Sequence, residues 1–277
     1  MIATLAAFRL ALSAKHVDVN LDKVSALMKL NNRLYDYFKD KGEKVTVELL
    51  ILGLGYTAVT TSDGGIGISY TYFDQKTSCS LVRDYYDYEG KPAIELLEKI
   101  KSTDPIERSM ALALINALYY EKALLLPEDP KNEILFEKFN VREGTNVAMV
   151  GYFRPLVKIL EERKVPLEIT DVFLGLGRKE TFYEKLGNWA DVVFLTSTSI
   201  LNNTTEEILG NVSENVKTVL LGPSTPMVGE AFEHLPAHML AGTVPVDKEN
   251  VLKAVRHGIG TRFIHQYSKK SFWLFSG

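Results

Sequence analysis

The chain carries the segment Val219-Leu220-Leu221-Gly222-Pro223-Ser224-Thr225-Pro226 in its C-terminal half. Its apolar start predicts a β-strand, and the Gly, Pro, Ser and Thr residues that follow predict a turn. A proline suits the first turn of a helix, so we expect a helix to begin at Pro226. A strand that ends in hydroxyls and backbone N–H groups at a helix start is a common binding-site layout in α/β domains. The segment therefore indicates where a ligand site lies, although it names no reaction.

A second segment follows the same pattern. Val192 to Ser199 is an apolar strand that ends in Thr and Ser, and Asn202, Asn203 and Thr204 come next. Around these segments, short apolar strands alternate with short helices, which predicts a parallel, doubly wound sheet. Strands are predicted at residues 146–150, 167–172, 191–196, 218–221 and 239–242, and helices at residues 155–164, 179–186, 204–211, 226–234 and 248–257.

The loops after these strands are expected to meet along one edge of the sheet, where ligands bind near the point at which the strand order reverses. The loops offer hydroxyls, amides and helix N-termini but few charges, which suits a polar or anionic small molecule. A simpler interpretation stays open, because Ser224 or Thr225 could only cap a helix, as Thr204 could with Glu207 in a capping box. The candidate ligand-binding residues in this half are Gly151, Phe153, Pro155, Thr198, Asn202, Gly222, Ser224 and Thr225.

The N-terminal half begins with an amphipathic pattern that predicts a helix from Leu21 to Lys41. A strand from Val45 to Leu52 follows, and then Gly53-Leu54-Gly55-Tyr56-Thr57-Ala58, which matches the dinucleotide fingerprint G-x-G-x-x-A. That fingerprint requires a helix next, whereas β-branched residues and the hairpin turn Asp63-Gly64-Gly65 come instead. We therefore predict a hairpin, with the glycines at a bulge or a close backbone approach.

NAD and FAD are not expected in the second half either. A single glycine, Gly151, follows its first strand, and Phe153 and Pro155 crowd the place where a pyrophosphate would lie.

Three residues of the N-terminal half are further candidates for the same site. Asn116 lies in a helix that is apolar on every face and begins at Asp104-Pro105-Ile106-Glu107, an N-cap and capping-box pattern. A buried amide needs partners, so Asn116 either caps a backbone group or faces a site between two domains. Tyr70 and Thr71 end a strand predicted from Ile66 to Phe73. Alternation puts Tyr70 and Tyr72 on one face and Thr71 on the other, where they either pack in the core or face the ligand.

Composition limits the function classes. The 277 residues carry a formal net charge of −3, which gives no electrostatic case for a nucleic-acid partner. Cys79 is the single cysteine, so no intramolecular disulfide forms. No apolar run reaches the roughly 18–20 residues that span a bilayer, and residues 1–14 lack the basic start of a signal peptide. We expect a cytoplasmic protein without a membrane partner, and a homo-oligomer stays open.

Metal-ligand and catalytic patterns are sparse. Pro236 separates His234 from His238, and no C-x-x-C, H-x-H or dense carboxylate motif is present. No nucleophile–base set and no G-x-S-x-G motif is visible. We therefore predict no metal ligands, and the sequence does not identify catalytic residues. For an enzyme, the few acid–base candidates are Tyr70, Asp171 and Glu107.

Several segments together resemble the family described as "putative heavy-metal chelation". In chain order they are Gly53-Leu54-Gly55-Tyr56-Thr57-Ala58-Val59, Gly67-Ile68-Ser69-Tyr70-Thr71, Ala113-Leu114-Ile115-Asn116-Ala117, Met149-Val150-Gly151-Tyr152-Phe153-Arg154-Pro155-Leu156, Ala190-Asp191-Val192-Val193 with Thr196, Thr198 and Asn202, Gly222-Pro223-Ser224-Thr225-Pro226 and Ala241-Gly242.

The resemblance implies an α/β protein in which an α+β domain similar to the enolase N-terminal domain precedes a Rossmann-like domain. With the polar linker Pro127 to Asn132, it predicts domains at residues 1–128 and 129–277. It also implies a cleft between the domains as the site, and a metal or metal complex as ligand. Soft ligands are nearly absent, so we expect oxygen ligands or a metal held by a bound organic molecule.

The sequence leaves three functions open. The first is binding of a polar or anionic small molecule, or a metal complex, in the interdomain cleft. The second is a transferase or lyase of corrinoid or tetrapyrrole metabolism. The third is a subunit whose role is assembly rather than catalysis.

Overall fold

A computed structural model describes residues 29–73 and 85–276. The segment of residues 1–14, His16, Cys79 and the start of the helix predicted from Leu21 lie outside these ranges. Within them, no helix has the length and apolar character that crossing a membrane requires.

An antiparallel sheet of three strands forms the N-terminal unit, in the order β1-β2-β3. Its helices cover one another and the sheet. The strands are β1 (Val47–Leu52), β2 (Tyr56–Thr61) and β3 (Ile66–Tyr70), and the helices are α1 (Lys29–Gly42), α2 (Ala93–Leu97), α3 (Pro105–Leu118) and α4 (Tyr120–Leu124), with a 3-10 turn (Glu98–Lys101) after α2.

The hairpin predicted at Asp63-Gly64-Gly65 is confirmed, because β2 and β3 pair antiparallel and the N–H of Thr61 donates to the carbonyl of Gly65 at 3.1 Å. Before β2, the N–H of Gly53 donates to the carbonyl of Tyr56 at 3.1 Å. A Cβ on Gly53 would lie 2.6 Å from the carbonyl oxygens of Tyr56 and Val255, so this glycine marks a close backbone approach between the two halves of the chain.

Helix α3 packs directly on β3 because glycines face it. A Cβ on Gly67 would collide with the backbone of Ala113 and Ala117. The helix begins as predicted, since the carboxylate of Asp104 accepts a hydrogen bond from the N–H of Ile106 at 2.8 Å. The capping box is not completed, because Glu107 pairs with Lys99 at 2.9 Å instead.

The C-terminal unit contains a sheet in the order β5-β4-β6-β7-β8-β9, parallel except for β9, which runs antiparallel to β8. The five predicted strands are present, and β9 was not predicted. The strands are β4 (Val147–Val150), β5 (Leu167–Thr170), β6 (Val192–Thr196), β7 (Lys217–Leu221), β8 (Met239–Pro245) and β9 (Ser268–Leu274). The helices are α5 (Glu133–Lys138), α6 (Arg154–Glu162), α7 (Lys179–Asn188), α8 (Thr198–Leu201), α9 (Thr205–Leu209), α10 (Gly229–Phe232), α11 (Lys248–Arg256) and α12 (Thr261–Ile264), with a 3-10 turn (His265–Tyr267) after α12.

The order of this sheet reverses at β4. The first strand in sequence pairs with β5 on one side and with β6 on the other, so the chain winds outward in both directions from it. In doubly wound sheets the crevice outside the carboxyl ends of these strands is where ligands bind. A ligand site is therefore expected at the loops after β4, β5 and β6.

The two units pack on each other through a shared hydrophobic cluster that includes Leu114 of α3 and Leu220 of β7. Polar contacts add to it, since the guanidinium of Arg33 donates to the carbonyls of Glu230 and Ala231 at 2.9 and 3.0 Å. Near the start of α1, the amide of Asn31 donates to Asn203 at 2.9 Å. The carboxyl edge of the large sheet thus lies against the N-terminal unit.

Candidate functional site

The loops after β4 and β6 meet at the point where the strand order reverses. Gly151 has a φ of 86°, and a Cβ there would lie 3.0 Å from the Cβ of Thr196. The hydroxyl of Thr196 is 2.9 Å from that of Thr198 in the first turn of α8. Both threonines are half-buried. The contacts of Thr196 with both residues bring Gly151 and Thr198 to one place, as predicted.

The loop after β7 joins this group from the other side. Gly222 has a φ of 129°, and a Cβ there would lie 3.0 Å from the hydroxyl of Ser197 and 3.8 Å from Cε1 of Phe153. The ring of Phe153 therefore lies over Gly222. Phe153 is also the N-cap of α6 and has no side-chain atom to bond the N–H groups there, while Pro155 occupies the exposed first turn.

Ser224 joins the two units. Its hydroxyl accepts a hydrogen bond from the N–H of Tyr70 at 2.7 Å, and its carbonyl accepts one from the amide of Asn116 at 3.3 Å. The same amide donates to the carbonyl of Ile68 at 2.9 Å. Asn116 therefore caps backbone carbonyls, which is the first of the two interpretations, and it does so where the two units meet.

The helix predicted to begin at Pro226 is wrong, because α10 begins only at Gly229. Residues 224–229 are all buried, so tertiary packing holds this segment in a non-helical form. The hydroxyl of Thr225 donates to the carbonyl of Gly222 at 2.8 Å. Ser224 and Thr225 therefore do not present their hydroxyls at a helix start.

The capping box predicted at Thr204 is also wrong. Thr204 is the N-cap of α9, but its side chain makes no cap bond and donates to Oδ1 of Asn202 at 2.6 Å. The amide of Asn202 in turn makes a long hydrogen bond, 3.4 Å, to the hydroxyl of Tyr72. Asn202 therefore links the loop after β6 to the end of the N-terminal sheet.

The side chain of Thr71 lies on the same face of the small sheet as that of Thr57 in β2. Its side chain is buried, and its hydroxyl lies 2.9 Å from that of Thr57. Tyr70 and Tyr72 lie on the opposite face, with ring centroids 6.4 Å apart. The alternation predicted for these three residues is confirmed, although β3 ends at Tyr70 and not at Phe73 as predicted.

Phe173 also lies at this site, although it is not among the residues that the sequence predicts for it. Its ring centroid lies 5.4 Å from that of Tyr72, across the two units. It follows β5 within the exposed apolar run Val172-Phe173-Leu174. An apolar run directly after a predicted strand, in a loop expected at the ligand edge of the sheet, is the signal that could have found it, because exposed apolar patches often mark interaction sites.

Asp171 begins the same loop and is fixed by the backbone. Its two carboxylate oxygens accept hydrogen bonds from the N–H groups of Tyr152 at 2.8 Å and of Leu174 at 3.0 Å. The contacts thus form a ring, from Asp171 through Tyr152 and Phe153 to Gly222, then to Tyr70 by way of Ser224, and back through Tyr72 and Phe173. The third acid–base candidate, Glu107, pairs with Lys99 on the N-terminal unit.

The hydroxyl of Tyr70 has a raised pKa. Burial raises the pKa of Tyr70, and Tyr72 and Asp171 raise it further. Its ring also packs edge-on against Tyr56, with centroids 6.1 Å apart. A tyrosine hydroxyl is protonated at neutral pH, so that of Tyr70 can donate a hydrogen bond.

The polar groups in this ring of contacts do not fit the ligand preferences of a bare heavy-metal ion. They are hydroxyls, an amide and one carboxylate, whereas soft metals bind thiolate and imidazole ligands. Across the part of the chain that the structure describes, no three His, Cys, Asp or Glu side chains come together as a metal site.

Two family models match the chain, and both carry the description "Putative heavy-metal chelation". One matches residues 35–119 and the other residues 134–274. An uncharacterized protein from Methanocaldococcus jannaschii is 22% identical over 255 residues, which is 87% of this chain and 95% of that protein.

Two crystal structures of proteins with unknown function, from the family matched by residues 134–274, share the fold. The one from Desulfitobacterium hafniense DCB-2 has a TM-score of 0.72 at 21% identity, covering 90% of this chain and 99% of the other. The one from Pyrococcus horikoshii has a TM-score of 0.71 at 19% identity, covering 90% and 100%. The predicted α/β fold class, with a small antiparallel sheet before a larger and mostly parallel one, is confirmed.

Proposed function

The chain belongs to the family described as "Putative heavy-metal chelation", and we propose that it binds a polar small molecule in the cleft between its two units. One observation carries the proposal: the loops after β4, β5, β6 and β7 and the residues after β3 surround one place, at the reversal of strand order. Open α/β sheets bind their ligands at this position. The carboxylate of Asp171 only accepts hydrogen bonds. We therefore narrow the expected ligand from a polar or anionic molecule to one that donates hydrogen bonds.

Each part of the cleft has a role in this proposal. Gly151 and Gly222 let the backbone approach the ligand, because neither has a side chain. The hydroxyls of Tyr70 and Thr198 and the amide of Asn202 supply hydrogen bonds. The rings of Phe153, Tyr72 and Phe173 form apolar walls, and Ser224, Thr225 and Asn116 hold the two units in register around them.

Metal enters this proposal as part of the ligand. Because the donors of the cleft are hard oxygen atoms, we infer that any heavy metal is carried within a bound organic molecule rather than ligated by the described side chains. Pro155 and Phe153 at the start of α6 disfavour the diphosphate of NAD or FAD at the same place.

A ligand screen with a cleft variant tests the proposal. Purified protein is screened by thermal shift against nucleosides, sugar phosphates, amino acids, dicarboxylates and polyamines, each with and without Co²⁺, Ni²⁺ or Zn²⁺. We expect a compound that raises the Tm of the wild type and has less effect on Thr198→Val, which loses one hydroxyl of the cleft. The matched control is Thr60→Val, at the far end of β2 from Tyr56 and also half-buried.

The outcomes separate clearly. A compound that stabilises the wild type and Thr60→Val but not Thr198→Val supports binding in the cleft. Compounds that stabilise all three proteins equally bind elsewhere and contradict the proposal.

A further inference from the structure

We propose that Asp171 binds the neighbouring hydroxyls of a ribose, so that the ligand of the cleft is a nucleoside or a small molecule that carries one. This inference rests on the proposed function and names the class of ligand for the same cleft.

The place of Asp171 in the fold supports this assignment. Asp171 directly follows β5, which is adjacent to β4, the strand where the sheet order reverses. In dinucleotide-binding Rossmann folds, which share this doubly wound plan, an acidic residue about 20 residues beyond the glycine-rich first loop accepts a hydrogen bond from a ribose hydroxyl. Gly151 occupies the glycine position here, and Asp171 stands at that spacing from it.

The carboxylate is oriented for such a ligand. Each oxygen is held by one backbone N–H, from Tyr152 or Leu174. A carboxylate oxygen accepts more than one hydrogen bond, so each keeps a position for a ligand hydroxyl. The side chain is half-exposed at the cleft, and two fixed acceptors side by side match the two hydroxyls of a ribose.

The remainder of the dinucleotide pattern is absent, which defines the class more closely. The ring of Phe153 lies over Gly222, and Pro155 has no N–H to offer a phosphate at the start of α6. A sugar-binding acid is therefore retained without a diphosphate-binding loop. This combination fits a nucleoside rather than NAD or FAD.

Aromatic side chains next to Asp171 suit the base. Phe173 is 57% exposed although it packs edge-on against Tyr72. A nucleobase that stacks on an aromatic ring gains affinity with any of the four bases, because each has a flat conjugated face. An exposed ring two residues from a ribose-binding carboxylate is thus in reach of the base.

Calorimetric titration of the full chain tests the inference. The probes are adenosine, guanosine, cytidine and uridine, with the 2′-deoxy and 3′-deoxy forms of whichever binds. We expect at least one ribonucleoside to bind, and its deoxy forms to bind about tenfold or more weakly. Asp171→Asn should weaken the ribonucleoside about 10- to 100-fold, since a hydrogen bond to a charged acceptor is lost.

A matched control is Asp191→Asn. Its carboxylate also accepts a backbone N–H, from Asn146 at 2.7 Å, but it lies before β6, at the opposite edge of the sheet. It should bind the ribonucleoside like the wild type. The deoxynucleosides need no change in the protein, so they test the contact with the ribose hydroxyls even if Asp171→Asn disturbs its loop.

Two results would overturn the inference. One is that none of the four ribonucleosides binds at about 1 mM, and the other is that deoxy and ribose forms bind equally. A ligand of another class whose binding requires Thr198 would then leave the proposed function standing, whereas the lack of any ligand that depends on Thr198 would overturn both.

Discussion

The backbone N–H of Tyr70 donates to the hydroxyl of Ser224 at 2.7 Å, which joins the end of β3 to the loop after β7. Ser224 is buried, so water does not compete for this bond. The contact therefore fixes where the end of the N-terminal sheet meets the loops of the large sheet.

We expect Ser224→Ala to lower the free energy of unfolding by about 1–3 kcal/mol, because the N–H of Tyr70 loses a buried partner. Urea denaturation measures this loss. The control is Ser62→Ala, whose hydroxyl accepts the N–H of Thr46 in an exposed position and where water can replace it. Equal effects of the two substitutions would show that Ser224 does not hold the units together.

Gly67→Ala is expected to destabilise the protein by more than about 3 kcal/mol, because the new methyl would overlap the backbone of α3 and force it off the sheet. Chemical denaturation or loss of soluble expression measures the change. Gly55→Ala is the control, since a Cβ there has no neighbour within 4 Å. A stable Gly67→Ala protein would contradict the close packing of α3 on β3.

Gly151→Ala tests the crevice itself. The substitution should cost about 1–2 kcal/mol of stability, because alanine is strained at this positive φ, and it should also push on Thr196 and weaken ligand binding. Gly144→Ala carries the same strain at a φ of 89° without a neighbour within 4 Å. The pair therefore separates strain from crowding: a ligand that binds Gly144→Ala normally but Gly151→Ala weakly confirms the effect, and equal binding contradicts it.

Phe173→Ala should weaken binding of the cleft ligand about tenfold, because the ring forms part of its wall. Stability should change little, since the side chain is largely exposed. Leu125→Ala is a control at another exposed apolar residue. Thermal-shift titration of both variants with the ligand from the screen measures the difference; an undiminished affinity in Phe173→Ala would remove this residue from the site.

His265 predicts how stability depends on pH. Burial, with a smaller effect of Lys270, lowers the pKa of His265 from 6.5 to about 4, and its Nε2 lies 3.1 Å from the hydroxyl of Thr243. The native state holds the neutral ring, whereas the unfolded chain takes up a proton below its ordinary pKa. The contribution of His265 is therefore complete above about pH 6.5 and is lost as the pH falls towards 4.

Denaturation curves at several pH values between 4 and 7 measure this effect. The loss of stability on acidification should be smaller in His265→Gln than in the wild type, while the exposed His257→Gln should follow the wild type. Parallel curves for all three proteins would contradict the assignment.

Local patterns in the sequence were enough to predict much of the fold. Alternating apolar segments placed β4 to β8, because burial on both faces requires short apolar runs. The N-cap at Asp104 and the hairpin at Asp63-Gly64-Gly65 followed from hydrogen bonding and turn preferences of neighbouring residues. β9 was missed because Ser268–Leu274 mixes lysines with apolar residues at an edge of the sheet.

The sequence also placed Gly151, Phe153, Thr198, Asn202 and Gly222 at strand ends, and strand ends of a parallel sheet share an edge for geometric reasons. The role of Ser224 could not be read in the same way. Its partner Tyr70 is 154 residues away, and burial of the whole segment overrides the helix that Pro226 suggests. The contact of Phe173 with Tyr72 likewise depends on how the two units pack. Periodicity, caps and turns are local and can be read from the sequence, whereas which loops face one another across a cleft is decided by the packing of distant surfaces.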